Sequence, residues 1–147
     1  MPAECRILGP VSAGPLCHLP FYDGLIPAGF PSPATDHLEK SLDFNDLLIG
    51  NRNATFMAQV IGDSMNGAGI FSGDILVVDR ALTPRSGQIV LAALCGEPLV
   101  KEFNLVRGRP QLCSHHPDYP PLLIDQVEDL SIWGVVTFSI RRHSGGR

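Results

Sequence analysis

A serine and a lysine are the residues of this chain best suited to chemistry. Ser64 lies in Val60-Ile61-Gly62-Asp63-Ser64-Met65-Asn66-Gly67, an apolar run that ends in a glycine-bounded turn. Such a turn lifts a side chain out of the backbone and leaves the following N–H groups free. Lys101 lies in Glu97-Pro98-Leu99-Val100-Lys101-Glu102-Phe103. That segment reads as a strand, whose alternation puts Leu99, Lys101 and Phe103 on one face. If the face is buried, desolvation disfavours the ammonium and lowers its pKa. A neutral amine can then take the proton from a serine hydroxyl. A Ser-Lys pair of this kind is one variant of the serine-hydrolase arrangement. Both residues also have plainer readings. A serine after Gly-Asp caps turns and helices, and a lone lysine in a strand marks an exposed edge.

Two histidines, His115 and His116, offer Ser64 another base. Lys101 is preferred because its apolar strand context supplies the needed shift. Cys113 with His115 and His116 suggests a metal site, but adjacent histidines in a strand point to opposite faces and no second ligand pair exists. No metal and no cofactor are expected.

The elements that must hold Ser64 and Lys101 are short strands. Thr55–Ile61, Ile75–Asp79, Gln88–Leu94, Leu99–Asn104, Gln111–Cys113 and Ser131–Ile140 have strand character. Ser72-Gly73-Asp74, Pro84-Arg85-Ser86-Gly87 and Cys95-Gly96-Glu97-Pro98 are turns, the last closing a hairpin with Lys101 on its returning strand. A short helical turn follows Ser64. Before residue 45 the pattern is different. Gly9-Pro10, Gly14-Pro15, Pro20, Pro27, Pro31 and Pro33 exclude a helix or a sheet interior. Residues 1–44 therefore read as an extended proline-rich arm and 45–147 as the folded domain. Across that boundary, Asp36–Leu48 has a weak helical pattern with an aspartate available as N-cap, and reads as one short helix or only a packed loop.

Composition narrows the function classes. A chain of 147 residues with 44% hydrophobic content makes one globular domain with room for an arm. Its 15 glycines and 13 prolines favour turns and short strands over long helices. A net charge of −4 argues against direct, specific DNA binding. The cationic end, Arg141-Arg142-His143 with Arg147, reads as a solvated tail. The start of the chain is not a secretory signal, and no apolar stretch reaches the length of about 18 residues needed to span a membrane. A cytoplasmic protein without membrane contact is expected. Cys5, Cys17, Cys95 and Cys113 lack CxxC spacing and read as free thiols.

Several separated segments together resemble a known family. They are Gly62-Asp63-Ser64-Met65, Gly69-Ile70-Phe71-Ser72-Gly73-Asp74-Ile75-Leu76-Val77-Val78-Asp79, Gly87-Gln88-Ile89-Val90, Val100-Lys101 and Gly134-Val135-Val136. In order and spacing they are similar to the LexA-type self-cleaving serine peptidases of UmuD-like kind. Ala28-Gly29-Phe30-Pro31-Ser32-Pro33-Ala34 resembles the cleavage region of that family. The likeness runs from about Phe21 to Ile140.

The resemblance implies a mostly β, LexA/UmuD-like peptidase domain with an extended N-terminal arm. It implies Ser64 as nucleophile, Lys101 as general base and Ala28–Gly29 as the scissile bond. The backbone N–H groups of Ser64 and Met65, which lie in the turn, are the expected oxyanion donors. It further implies a homodimer of the SOS DNA-damage response, activated by the RecA filament on single-stranded DNA. The cleaved form would be an accessory subunit of an error-prone, UmuC-like translesion polymerase. An alternative is a regulatory subunit of a polymerase complex that is never processed, its dyad vestigial. A type I signal peptidase uses the same dyad but needs a membrane anchor. Ala28 is the small residue that LexA itself carries before the bond. Pro27 cannot donate an N–H to a cleft edge, and it biases Ile26 toward the extended backbone of an added strand. A LexA-like repressor is not expected, since some 45 proline-rich residues cannot build a helix-turn-helix module.

Overall fold

The computed structural model describes residues 4–11, 14, 18–23, 38–124 and 129–145. Among these residues ten strands and one short α-helix form in chain order. They are β1 (Cys5–Pro10), β2 (His18–Asp23), β3 (Leu38–Asp43), α1 (Phe44–Leu48), β4 (Thr55–Val60), β5 (Ile75–Asp79), β6 (Gln88–Leu94), β7 (Glu97–Val106), β8 (Arg109–Cys113), β9 (Leu122–Leu123) and β10 (Leu130–Ile140). The fold is mostly β, as expected. It divides into two compact units, Met1–Ser12 with Asn51–Arg147, and Ala13–Gly50. This partition differs from a single break near residue 45, because β1 pairs with β4 as part of the larger unit.

The larger unit is one eight-stranded antiparallel sheet of order β1-β4-β5-β10-β6-β7-β8-β9. Proline-bearing β1 sits at an edge, where a missing N–H breaks no ladder. Two tight hairpins set the register around Lys101. In the first, Leu94 pairs with Glu97 across Cys95 and Gly96, with φ of 50° and 83°. In the second, Val106 pairs with Arg109 across Arg107 and Gly108, with φ of 53° and 76°. Positive φ at both loop residues matches the right-handed strand twist. The first turn is thus two residues long rather than four, and β7 already begins at Glu97.

The sheet buries two clusters. Ala58, Val60, Met65, Ile70, Leu76, Val78, Leu91 and Val100 form one, together with Cys5. Val90, Ala92, Leu99, Phe103, Leu112, Ile124 and Val135 form the other. Each fully buried leucine or valine stabilises the fold by about 1.5–3 kcal/mol relative to exposure. β10 bends through both strands it joins, with register shifts between Ile132 and Gly134 and between Val136 and Phe138. Gly134 allows the close approach: a Cβ there would lie 2.7 Å from Val78 Cγ1 and 2.8 Å from the Asp79 carbonyl oxygen.

In the smaller unit β2 and β3 pair antiparallel, from His18 opposite Asp43 to Asp23 opposite Leu38. Where the sequence suggests one short helix or a packed loop over Asp36–Leu48, β3 and a five-residue helix form from Leu38 on. Asp36 lies outside the described residues. The working N-cap is Asp43, whose carboxylate accepts from the Asn45 N–H at 3.0 Å. Pairing with β2 satisfies the backbone from Leu38 to Asp43, whereas a lone helix of that length is marginal in water. Residues 24–37, which carry Ala28 and Gly29, connect β2 to β3 in sequence and lie outside the described residues.

Candidate active site

Ser64 follows β4 by four positions, in a turn fastened on three sides. The Asn66 N–H donates to the Asp63 carbonyl at 3.1 Å, and a turn of 3-10 helix runs over Asn66–Ala68. Met65, only 2% exposed, anchors the turn in the core. The third fastening comes from the loop after β8. The His115 N–H donates to the Ser64 carbonyl at 2.8 Å, and the His115 carbonyl accepts from the Gly67 N–H at 2.7 Å. A Cβ on Gly67 would lie 2.6 Å from that carbonyl oxygen, so only glycine fits there without a shift.

The loop that returns to β5 is held by Asp74. The Phe71 N–H donates to Asp74 Oδ2 at 2.8 Å. Arg141 donates to both carboxylate oxygens, at 2.8 and 2.7 Å, and to the Gly69 carbonyl at 2.9 Å. Its guanidinium also lies 4.1 Å from the centre of the Phe71 ring. The Arg141 hydrogen bond, more than any other influence, holds the Asp74 carboxyl below the usual carboxylate range. Arg141 is therefore a clamp on the segment after Ser64, not part of a solvated tail.

Lys101 is in the middle of β7, opposite Val90 of β6. Leu99, Lys101 and Phe103 are all buried, as the alternation requires, and Lys101 is only 1% exposed. Its neighbour Val100 is also buried, so the strand is covered on both faces at this point. The ammonium nitrogen reaches the serine turn: Lys101 Nζ donates to Ser64 Oγ at 2.9 Å, and Ser64 is 7% exposed. The two residues singled out by type in the sequence are thus brought together inside the protein. Neither Ser64 nor Met65 donates its backbone N–H to an acceptor among the described residues, which fits an oxyanion site.

The histidines do other work. His115 Nε2 lies 2.5 Å from Glu102 Oε2, and His116 Nε2 lies 3.5 Å from Asp63 Oδ2. Bonds from Asn104 and then His115 hold the Glu102 carboxyl below its ordinary range. Tyr119 donates to Asp63 Oδ1 at 3.0 Å, which pushes the tyrosine hydroxyl's pKa up. Cys113 Sγ accepts from Asn104 at 3.6 Å. No group of three or more metal-ligating side chains occurs among the described residues.

One participant carried no signal in the sequence. Glu4, just before β1, places both carboxylate oxygens on Lys101 Nζ, at 2.7 and 2.6 Å. The Val100 N–H lies 3.3 Å from Glu4 Oε2. The Glu4 backbone is tied on both sides as well, its N–H to the Pro98 carbonyl at 3.0 Å and its carbonyl to the Ile61 N–H at 2.7 Å.

The chain matches the Peptidase S24-like family over residues 20–137. The chain belongs to that family. The LexA/UmuD-like resemblance read from the segments around Ser64 and Lys101 is thereby borne out, and the protein is in general character a serine peptidase. Among its relatives, Protein ImpA of Salmonella typhimurium is 46% identical over 125 residues, covering 84% of this chain and 83% of that protein. Protein MucA of Escherichia coli is 42% identical over 126 residues, 85% and 86% of the two chains. The LexA repressor of Bordetella petrii is 35% identical over 118 residues, 80% of this chain but 52% of the repressor. No helix among the described residues is long and apolar enough to cross a membrane.

Proposed function

We propose that this chain is a UmuD-like protein of the SOS response that cuts itself between Ala28 and Gly29 with Ser64 and Lys101. The observation that carries the reading is the 2.9 Å approach of Lys101 Nζ to Ser64 Oγ, with the lysine 1% exposed. Family membership and the relatives ImpA and MucA support it.

In the reacting state Lys101 is a neutral amine and the hydrogen bond reverses, Ser64 donating to Nζ. Ser64 Oγ attacks the Ala28 carbonyl carbon as its proton passes to Nζ. The resulting oxyanion is met by the N–H groups of Ser64 and Met65. Lys101 hands the proton to the Gly29 nitrogen, the C–N bond breaks, and Ala28 is left as an ester on Ser64. Water, deprotonated by Lys101, then hydrolyses that ester. Nucleophile and substrate share one molecule, so the rate is set by how often residues around Ala28 are seated beside Ser64.

A RecA filament on single-stranded DNA would favour the seated state without contributing catalytic groups. The product, residues 29–147, would act as a homodimer with a UmuC-like translesion polymerase. The test is intact mass after incubation with such a filament. Fragments ending at Ala28 and starting at Gly29 are the expected result, and none should form from Ser64→Ala. Cleavage at that bond in Ser64→Ala would remove Ser64 from the mechanism.

A further inference from the structure

The base beside the nucleophile already has an anionic partner. An ammonium has three N–H donors and no lone pair. In Lys101 those donors face Ser64 Oγ and the two oxygens of Glu4. A lysine held this way cannot accept the serine proton. The Glu4 backbone also uses the Ile61 N–H and the Pro98 carbonyl. These flank the dyad: Ile61 is three positions before Ser64 and Pro98 three before Lys101. An extended segment entering to be cut would need main-chain partners of this kind. Glu4 therefore blocks both the proton acceptor and the strand-pairing edges.

Resting on the reading given under Proposed function, we propose that the cleft beside Ser64 is a binding site for a carboxylate carried on an extended segment. Glu4 fills it in cis, and its departure must precede cleavage. The ligand class is an acidic peptide strand. Its recognition elements are the Lys101 ammonium, the Val100 N–H and the main-chain groups of Ile61 and Pro98. The occupant is adjacent to β1, an edge strand whose departure would give up one ladder, to β4, and the burial of Cys5.

The opposite role for Glu4 is to orient Lys101 for catalysis, and the two roles predict opposite signs. The first measurement is unaided self-cleavage of the full chain near neutral pH, wild type against Glu4→Gln. Loss of the occluding carboxylate should speed cleavage by about tenfold or more, the size expected of charge-assisted hydrogen bonds. Slower or unchanged cleavage in Glu4→Gln overturns the proposal.

The second measurement does not depend on cleavage. In Ser64→Ala chains with and without Glu4→Gln or Glu4→Ala, Lys101 is acetylated with acetic anhydride and mapped by mass spectrometry. Lys40, the other lysine of the chain, is the internal reference. The ratio of Lys101 to Lys40 acetylation should rise about tenfold when the carboxylate is removed. An unchanged ratio in both variants overturns the binding site. A raised ratio in a protein that never cuts itself upholds the site and counts against the peptidase reading alone.

Discussion

Truncating Lys101 to alanine should destabilise this fold far more than the loss of one side chain's packing implies. The perturbation is best made in the Ser64→Ala chain, so that cleavage does not cloud the result. Lys101 is 1% exposed and its partner Glu4 14%. Removing one member of a buried pair strands the other charge, at a cost of about 3–5 kcal/mol. Glu4 precedes an edge strand and can regain some water, which places the loss at the lower end, about 3 kcal/mol. For a unit of this size that is a Tm drop of about 10 °C. Glu4→Gln alone should cost about 1–2 kcal/mol, since Lys101 keeps a hydrogen-bond acceptor at position 4. Replacing both, as Glu4→Gln with Lys101→Met, should recover most of the loss, because an apolar side chain of similar volume tolerates the site. The assay is denaturant unfolding of the parent, Glu4→Gln, Lys101→Met and the double variant, read as a double-mutant cycle. A coupling of about 1.5–3 kcal/mol is expected. Effects that add to within about 0.5 kcal/mol would refute the reasoning, since independent sites behave that way.

Two further perturbations follow from the geometry. Gly67→Ala would push the His115 carbonyl and shift the Ser64 turn; a misplacement of about 1 Å costs on the order of a hundredfold in rate, so self-cleavage half-times should lengthen by that factor while the chain still folds. Normal cleavage in this variant would show that the turn is not held by His115. In acid, the depressed carboxyls of Asp74 and Glu102 contribute stability that is complete above their unfolded values, about 3.9 and 4.3, and lost as pH falls through their folded values. Asp74→Asn should therefore flatten the acid limb of the stability curve below about pH 4, measured as urea midpoints across the range, and an unchanged limb would contradict the Arg141 clamp.

The strands that carry the site were legible because their pattern is local. Leu99, Lys101 and Phe103 alternate cleanly, and Cys95-Gly96 announces a hairpin, so the position and burial of Lys101 could be read from seven residues. Ser64 was legible through Gly62 and the glycines after it. What escaped depends on partners distant in sequence. β1 pairs with β4, some fifty positions on, and its proline argues only where in a sheet it cannot go. β3 looked like a helix because periodicity cannot register that β2 pairs with it. Arg141 looked like a tail because nothing local says that Asp74 is waiting for it. Glu4 meets Lys101 across 97 positions, and no motif marks an acidic residue in a proline-rich segment as the occupant of a cleft.

The central claim is that Ser64 and Lys101 cut the chain's own Ala28–Gly29 bond. Its most direct test is the intact mass of purified protein held at alkaline pH with no activator. Alkali favours the neutral amine that the proton transfer requires and should free it from Glu4. Fragments 1–28 and 29–147 should accumulate, faster as pH rises, while Ser64→Ala and Lys101→Arg stay whole because one lacks the nucleophile and the other stays charged. Cleavage at another bond, or the same fragments from either variant, would contradict the account.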